Sequence, residues 1–593
     1  MKRIFILLGV LWLSCTHALS GQDYLERFMA YTRWSQNLPE QPDENFIQFI
    51  DSDTPLAKKL RERWLYQLAR QKNWSIFSQH YKNSDDINLQ CFAHMANYYQ
   101  QNTEPPLAIA KSLWLTGDSM PGACNPLFDL LLKSENFDEK LISERIALAL
   151  DKRNFALARF LLKQYKEPRL KDEQSLVQIN QNPLRIGQLQ PGKLHDIFYL
   201  FGLKRLVSIN MDQAIAYWKN PQTKKLLTYA QQQSFLTHVA LYKAMRNHDD
   251  ANEWFLKINP AFYTDALLDW QIRLALKREQ WVKVKKLINH FQDKENPCWQ
   301  YWLARAMEKT GEGDKARELY QSLAGTRHYY GFLASLRLNK KFSFQNEEIV
   351  TNMAVLTPYK PFMDNIKFLY NNKQSLQASR LLNDFISELP KDDKSALIYW
   401  IDTSLQWHGK SVFLSNNEEM ANQLALRFPL PYNGVVNSFS KIYQIPVALI
   451  YAIIRQESGF RDDVVSPAGA RGLMQVMPAT ASVVAKQEKI SYSNKDQLFS
   501  SQKNIVLGVA YLKHLARHFI QHPVLMAAAY NAGPRQVNYW LKNHPPKEMD
   551  IWIETLPWHE TRNYLKNVIS FYVVYQYRMQ NKSDLRSLLK PLV

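Results

Sequence analysis

The stretch IPVALIYAIIRQESGF, residues 445–460, predicts an amphipathic helix with an acid on its apolar side. Pro446 suits the first turn of a helix, and Gly459 suits the position that follows its end. Four residues share one helix face at i, i+3, i+4 and i+7 spacing, namely Ile450, Ile453, Ile454 and Glu457. The sequence therefore predicts that a carboxyl group lies in apolar surroundings near the end of this helix.

The pKa of Glu457 is predicted to be raised. Burial disfavours the charged carboxylate, and the negative end of the helix dipole acts in the same direction. A carboxylic acid that stays protonated near neutral pH can serve as a general acid. The alternative is that Glu457 only caps the helix or extends to solvent, as most glutamates at helix ends do.

Three stretches downstream favour the catalytic interpretation. In SPAGARGLMQVMPATA, residues 466–481, Gly469 and Gly472 allow tight turns and close approach of a ligand to the backbone. Pro478 predicts the start of another helix. In AAAYNAGPRQV, residues 527–537, Tyr530 and Asn531 stand at a helix end, and LPWHETRNYLKNV, residues 556–568, supplies Glu560, Arg562 and Tyr564.

The rest of the chain predicts an all-α protein of more than one domain. Its 593 residues exceed what a single core usually spans, and 13% aromatic residues with only 18 glycines favour packed helices. From about 21 to 430 one helix follows another, and residues 301–324 have the pattern of a tetratricopeptide-like hairpin. Stacked hairpins of this kind form an α-superhelix. Proline, asparagine and glycine in RFPLPYNG, residues 427–434, indicate a domain boundary, and residues 356–362 a weaker one.

The first 20 residues have the layout of a secretory signal peptide. Two basic residues precede an apolar run of about ten, and small and polar residues follow. No later stretch approaches the roughly 20 apolar residues of a transmembrane helix. We therefore expect an exported, periplasmic protein without a transmembrane segment. Cys15 raises the alternative of a lipid anchor, although Trp12 fits the lipoprotein cleavage pattern poorly.

Removal of that segment leaves three cysteines, of which only two can pair. Cys91 and Cys124 would close a loop worth ~3–4 kcal/mol in the chain-entropy model. Cys298 stands beside Trp299, which favours a buried free thiol. The residues alone leave the pairing open.

The net charge of +19 favours a polyanionic partner. Nucleic acid is a poor candidate, because an exported protein rarely meets it and the basic residues are dispersed rather than clustered. An anionic polymer of the cell envelope fits the expected compartment better.

The block from about 434 to 580 resembles the catalytic domain of the soluble lytic transglycosylases, which have a goose-type-lysozyme-like fold. The matching residues are Glu457-Ser458, the stretch GLMQVMP at 472–478, the stretch AYNAGP at 529–534, and Glu560-Thr561-Arg562 with Tyr564. The segments QCFAHMANYY and ACNPLF, which hold Cys91 and Cys124, resemble the large periplasmic members.

This resemblance implies an architecture for nearly the whole chain. It implies a signal peptide at 1–20, an α-superhelical domain at 21–349 that closes into a ring, a helical linker domain at 350–430 and a lysozyme-like catalytic domain at 431–593. It also implies that Cys91 and Cys124 are bridged.

The resemblance also implies roles for single residues. The catalytic acid/base of the family falls on Glu457, and its glycan-contacting residues fall on Ser466, Gln475, Met477, Tyr530 and Glu560. Two positions depart from the family pattern: Arg471 stands where a small residue is frequent, and Ala479 replaces a frequent glycine. Both are expected to tune the groove rather than abolish catalysis.

The implied reaction cleaves the bond between N-acetylmuramic acid and N-acetylglucosamine in peptidoglycan and leaves a 1,6-anhydromuramyl end. Glycosidases usually need two carboxylates, but Asp462 and Asp463 lie in a polar loop that favours solvated structural roles. We therefore expect a substrate-assisted route with Glu457 alone, no metal and no cofactor. The chain is expected to be a monomer that binds glycan strands, and proteins of cell-wall synthesis are possible partners.

Two alternatives stay open at this stage. A lysozyme-type muramidase would use the same Glu457 with water as the acceptor. A noncatalytic scaffold would bind peptidoglycan through the superhelix, but the intact set of Glu457, Gln475, Met477 and Tyr530 argues against it.

Overall fold

The computed structural model of the protein describes residues 20–100, 104–134, 137–291, 293–543, 545, 547–581, 585, 586 and 589. These residues are built almost wholly from helices, which confirms the predicted all-α class. Within the described residues, extended pairing is limited to two isolated bridges, Val465 with Arg471 and Arg471 with Val476. The predicted signal segment lies outside the described residues except for Ser20, and so does Cys15.

The α-helices follow the chain with short connections. The first four are Gly21–Gln36 (α1), Glu44–Asp51 (α2), Pro55–Arg70 (α3) and Trp74–His80 (α4). The next sixteen are Ile87–Tyr99 (α5), Glu104–Trp114 (α6), Asn125–Lys133 (α7), Lys140–Asp151 (α8), Phe155–Leu162 (α9), Leu170–Gln181 (α10), His195–Ile209 (α11), Met211–Lys219 (α12), Pro221–Leu226 (α13), Tyr229–Met245 (α14), Ala251–Phe255 (α15), Asp265–Lys277 (α16), Trp281–Ile288 (α17), Pro297–Lys309 (α18), Gly313–Ala324 (α19) and Tyr329–Arg337 (α20).

The remaining helices lie in the last two-fifths of the chain. Five of them are Lys360–Asn371 (α21), Ser375–Ile386 (α22), Lys391–Thr403 (α23), His408–Leu414 (α24) and Leu424–Arg427 (α25). Eight more are Asn433–Tyr443 (α26), Val447–Glu457 (α27), Pro478–Glu488 (α28), Ser501–His518 (α29), Pro523–Ala532 (α30), Pro534–Asn543 (α31), Met549–Thr555 (α32) and His559–Arg578 (α33). Short 3₁₀ helices are Gly122–Cys124, Pro183–Gln188, Pro260–Phe262, Met353–Tyr359 and Lys495–Phe499.

The chain divides into two compact units. One combines the described residues up to Tyr81 with Glu347–Arg427, and the other combines Lys82–Asn346 with Phe428 onward. In the first unit, Tyr24 of α1 packs edge-on against Phe362 and Phe385 of α21 and α22, with ring centroids 5.4 and 4.9 Å away. The two rings stack on each other at 3.9 Å. Two distant segments thus share one apolar core.

The second unit begins with helices that pack on their neighbours in sequence. The predicted hairpin at 301–324 is confirmed: α18 and α19 pack together around a turn where Gly311 has a φ of +88°. Glycine takes this left-handed conformation without the steric cost of a Cβ. Ala316 and Tyr320 of α19 are buried, and α19 packs on both α18 and α20.

The structure joins Cys91 of α5 to Cys124 in a disulfide, and both residues are fully buried. Cys298 carries a free thiol, as the sequence predicted, but the residue is half-buried rather than buried. The reason is its place in the exposed first turn of α18. Its sulfur points inward to the Tyr330 hydroxyl, 2.9 Å away, and burial raises the pKa of the thiol to about 12.

The last eight helices, also part of the second unit, build the region that carries the predicted site. The centre is α27, whose seven residues from Ala448 to Ile454 are all buried, and it packs along α33. Helices α28, α29 and α30 pack in sequence beside them. Over the part of the chain that the structure describes, none of the helices is long and apolar enough to cross a membrane.

Candidate active site

Glu457 is the last residue of α27 and lies on its buried face. Ile450, Ile453 and Ile454 are fully buried, so the predicted apolar stripe is confirmed. The helix ends because Ser458 leaves the helical conformation and Gly459 and Phe460 follow with φ values of +58° and +67°. This turn leaves Glu457 at the end of an apolar helix, half-buried.

The environment of Glu457 favours its neutral form. Burial raises the pKa of its carboxyl group to about 7, a hydrogen bond from Tyr564 opposes the rise, and the charge of Glu560 adds to it. The Tyr564 hydroxyl donates to Oε1 of Glu457 at 2.7 Å. The predicted upward shift of this pKa is confirmed, and the group is poised to give and take a proton near neutral pH.

Tyr564 is a contact of the acid that the sequence did not assign to the site. The sequence places it in a stretch that resembles the family but predicts no role for it. The available signal was helical spacing: Glu560 and Tyr564 are four residues apart on α33 and therefore share a face. That face is turned toward the end of α27.

The loop from Val464 to Met477 is held by its own polar groups. Ser466 Oγ accepts from the Ala470 amide at 3.0 Å, and the amide of Ser466 donates to the Ala470 carbonyl at 2.9 Å. Gln475, at a φ of +47°, donates through Nε2 to the carbonyls of Val464 and Gly472 at 3.1 and 2.9 Å. Gln475 thus bridges two points of the loop in which it lies.

Gly472 and Asn504 anchor this loop to α29. Gly472 has a φ of +72°, and a Cβ there would lie 2.1 Å from the Leu498 carbonyl oxygen. Asn504 is fully buried; its Oδ1 accepts from the Met474 amide at 2.7 Å, and its Nδ2 donates to the Arg471 and Leu498 carbonyls, both at 2.8 Å. The sequence predicted the need for glycine here but gave no signal for Asn504, an ordinary residue within a helix.

Tyr530 and Met477 border the same loop. Tyr530 lies near the end of α30 and donates to the Met474 carbonyl at 2.7 Å, and its ring packs 5.4 Å from that of Tyr511. Burial raises its pKa well above the ordinary value, and the nearby Glu457 carboxylate adds to this. Met477 precedes α28 and leaves 39% of its surface exposed, and Val465 leaves 48%. The loop therefore presents apolar surface beside the acid.

Glu560 opens α33 and is exposed. Its Oε1 lies 3.5 Å from Nδ2 of Asn531, and the Thr561 hydroxyl donates to Oδ1 of Asn531 at 2.7 Å. These contacts tie the start of α33 to the end of α30, next to Tyr530. Of the residues that the sequence predicted for the site, Ser466, Gln475 and Tyr530 make contacts within the loop. Glu560 acts on Glu457 through its charge, and Met477 ends the loop.

The other carboxylates near Glu457 in sequence lie in solvent. Asp462 and Asp463 are exposed, and Oδ2 of Asp462 accepts from the Ser501 hydroxyl at 3.3 Å. The predicted solvated placement is confirmed. Arg471 turns to Asp496, 3.3 Å away, and its guanidinium lies 5.1 Å from the centre of the Phe499 ring. Ala479 is exposed in the first turn of α28.

The fold and the site define a class of protein. Residues 434–553 match the family model described as the Transglycosylase SLT domain, and this range contains the whole of α27 and the loop that follows it. Over nearly its whole length the chain is similar to soluble lytic murein transglycosylases. It is 27% identical to the soluble lytic murein transglycosylase of Escherichia coli K12 over 580 residues, which cover 95% of this chain and 90% of that protein.

Another relative and two solved structures are also similar to nearly the whole chain. The soluble lytic murein transglycosylase of Salmonella typhimurium is 27% identical over 582 residues. The crystal structure of the lytic transglycosylase Slt of Pseudomonas aeruginosa, an inactive mutant, superposes with a TM-score of 0.80 at 27% identity and covers 96% of this chain and 95% of that one. The 70 kDa soluble lytic transglycosylase of Escherichia coli gives a TM-score of 0.70 at 25% identity, over 96% and 93% of the two chains.

Proposed function

We propose that this protein is a lytic transglycosylase that cleaves the β-1,4 bond between N-acetylmuramic acid and N-acetylglucosamine in peptidoglycan. One observation carries the proposal: a carboxyl group with a pKa of about 7 lies at the end of a buried helix, held by a tyrosine hydroxyl. The similarity of nearly the whole chain to soluble lytic murein transglycosylases supports the substrate class.

Glu457 begins the reaction as a general acid. Since Oε1 accepts the hydrogen bond from Tyr564, we assign the transferable proton to Oε2. That proton passes to the glycosidic oxygen, the bond from this oxygen to C1 of the muramyl residue breaks, and N-acetylglucosamine leaves with a hydroxyl group. The acetamido oxygen of the muramyl residue bonds to C1 and takes up the positive charge, so a second protein carboxylate is not required.

Glu457 then acts as the base. Its carboxylate removes the proton from the C6 hydroxyl of the muramyl residue, O6 attacks C1, and the bond from C1 to the acetamido oxygen breaks. The product is a 1,6-anhydromuramyl end, no water is consumed, and Glu457 recovers its proton. A pKa close to the working pH suits a group that must hold and release a proton in one cycle.

We propose that Ser466, Gln475, Met477, Tyr530 and Glu560 bind the glycan. The side-chain amide of Gln475 donates to two carbonyls of its own loop, so we assign its Oε1 to accept a hydrogen bond from the sugar. Tyr530 donates its hydroxyl hydrogen to the Met474 carbonyl and would meet the glycan as an acceptor. The exposed surface of Met477 would pack against a sugar ring.

We also propose the cellular location, the domain division and the oligomeric state of the protein. The signal-peptide pattern of residues 1–20 supports export to the periplasm, where peptidoglycan lies, and the net charge of +19 suits this anionic polymer. We propose a superhelical domain at 21–349, a linker domain at 350–430 and a catalytic domain at 431–593. The protein is proposed to act as a monomer and to have proteins of cell-wall synthesis as partners.

Digestion of purified sacculi by the wild type and by Glu457→Gln tests this function. The wild type should release muropeptides that end in 1,6-anhydromuramic acid, which resist borohydride reduction and are lighter by one water than hydrolytic products in mass spectrometry. Glu457→Gln keeps the shape of the side chain but has no proton to give. This variant should release almost no muropeptides while still sedimenting with sacculi. Reducible ends from the wild type would show hydrolysis of the muramidase type instead. Full turnover by Glu457→Gln would contradict the assignment of Glu457 as the general acid.

A further inference from the structure

A second acid, Glu554, is fully buried on the helix that precedes α33. It lies near the end of α32, and its carboxylate meets groups from three other helices. Arg273 of α16 donates to Oε1 at 2.9 Å and, through Nε, to the Glu554 carbonyl at 3.0 Å. The Tyr330 hydroxyl of α20 donates to Oε2 at 2.7 Å, and Nζ of Lys566 in α33 lies 2.9 Å from the same oxygen.

These contacts connect α33 to helices from a distant part of the chain. Arg562, one turn before Lys566 on α33, donates to the Leu556 carbonyl, and its guanidinium lies 5.3 Å from the centre of the Trp270 ring of α16. Arg562 and Lys566 are four residues apart and share one face of α33. The start of α33 is therefore fixed by Glu554 of α32, whose carboxylate also binds Arg273 of α16 and Tyr330 of α20.

The opposite face of the same helix turn serves Glu457. Glu560 and Tyr564 are each displaced by two residues from Arg562 and Lys566, which is about 200° of rotation around the helix. Tyr564 thus contacts Glu457 from one side of α33, while Lys566 contacts Glu554 from the other. A rotation of α33, or a slide along its axis, would move the Tyr564 hydroxyl away from the acid.

We propose that Glu554 is a positioning residue for the acid/base: by binding Lys566 of α33 together with Arg273 and Tyr330, it sets α33 so that Tyr564 meets Glu457. The inference rests on the proposed function only in that Glu457 is the acid/base of the site. Glu554 itself stays buried beneath α33 and touches no substrate.

The consequence can be measured at Glu457. Tyr564 hydrogen-bonds its carboxylate, Glu560 contributes a like charge, and Tyr530 lies close enough to be affected by it. Of these groups, Tyr564 is the one that stabilises the charged form, so displacing its hydroxyl raises the pKa of Glu457. A residue that only adds stability would leave this pKa unchanged.

The test compares Glu554→Gln with Tyr564→Phe in the full-length protein. The pKa of Glu457 is followed by NMR with carboxyl-¹³C glutamate, and Glu457→Gln identifies its signal. We expect Glu554→Gln to raise this pKa as Tyr564→Phe does, and the double variant Glu554→Gln/Tyr564→Phe to raise it no further. The turnover number should fall on the order of tenfold with little change in KM, since a misplaced catalytic group slows the chemical step.

Asp550→Asn is the matched control. Asp550 is also on α32 and buried, and its carboxylate binds the Tyr301 hydroxyl at 2.8 Å and Arg305 at 2.6 Å. Within the described residues, the printed contacts of its carboxylate are with α18, with Arg337 of α20 and with the Ile551 amide of α32, and not with α33. Asp550→Asn should lower the melting temperature of the protein but leave the pKa of Glu457 at its wild-type value.

Each outcome decides the proposal. If Glu554→Gln is folded and Glu457 titrates as in the wild type, while Tyr564→Phe shifts it, Glu554 has no positioning role. If Glu554→Gln does not fold, Lys566→Met breaks the same link from α33 and must give the same shift. Because the titration is read without substrate, it can fail independently of the proposed reaction, which is judged by the sacculus products.

Discussion

Tyr564 donates a 2.7 Å hydrogen bond to Glu457, a residue that precedes it by 107 positions in the sequence. The tyrosine stabilises the charged form of an acid whose surroundings favour the neutral form. The pKa of Glu457 is therefore a balance between burial and one hydroxyl group. This balance suits a residue that must act first as an acid and then as a base.

Removal of that hydroxyl should raise the pKa of Glu457. In Tyr564→Phe the carboxylate loses a donor, so we expect the basic limb of the pH profile of kcat/KM to move to higher pH. Glu560→Gln makes the opposite change, because it removes a like charge, and its basic limb should move to lower pH. Shifts of the same sign in both variants would contradict the electrostatic account of the site.

Tyr530→Phe should reduce turnover far less than Glu457→Gln does. The Tyr530 hydroxyl contributes one hydrogen bond, to the Met474 carbonyl, worth about 1 kcal/mol, or roughly a fivefold change in rate. The measurement is the initial rate of 1,6-anhydro product from sacculi. A loss as large as that of Glu457→Gln would mean that the roles of these two residues are misassigned.

Gly472→Ala should destabilise the protein more than the same change at Gly469. Both glycines have positive φ, +72° and +91°, which costs alanine about 1–2 kcal/mol. At Gly472 the new Cβ would also lie 2.1 Å from the Leu498 carbonyl oxygen, whereas nothing lies within 4 Å at Gly469. Gly434→Ala, in the first turn of α26 with open space around it, is the control. Urea unfolding should rank the variants in this order, and equal losses at 472 and 469 would contradict the described packing.

Glu457→Gln should stabilise the protein above neutral pH. The pKa of Glu457 is about 7 in the folded chain against an ordinary 4.5, so the folded state holds the proton more tightly. The stability that this proton contributes is complete below about pH 4.5 and is lost as the pH rises through about 7, on the order of 3 kcal/mol in all. The melting temperatures of variant and wild type should agree at pH 4 and diverge by pH 8. A constant difference between them would show that this pKa is not raised.

The sequence predicted what depends on local spacing. Periodicity was enough to place Glu457 on the buried face of α27, and the turn residues marked where helices begin and end. The acid's partner Tyr564 and the loop anchor Asn504 were not assigned roles, because their contacts join residues that the fold alone brings together.

Two larger features of the fold also could not be predicted from the local sequence. The first compact unit combines residues before Tyr81 with Glu347–Arg427, and its core depends on rings such as Tyr24 and Phe385 that are far apart in sequence. Nothing in the local sequence distinguishes Glu554 from other glutamates near a helix end. Only the packing of α16, α20 and α33 around it shows that it is buried among two cations and a tyrosine.

Titration of Glu457 in the wild-type protein tests the central claim most directly. Carboxyl-¹³C NMR, with Glu457→Gln to identify the signal, should give a pKa of about 7 for this group in the free protein. A pKa near the ordinary 4.5 would mean that Glu457 is a carboxylate at neutral pH with no proton to donate, and the proposed acid/base cycle would be contradicted.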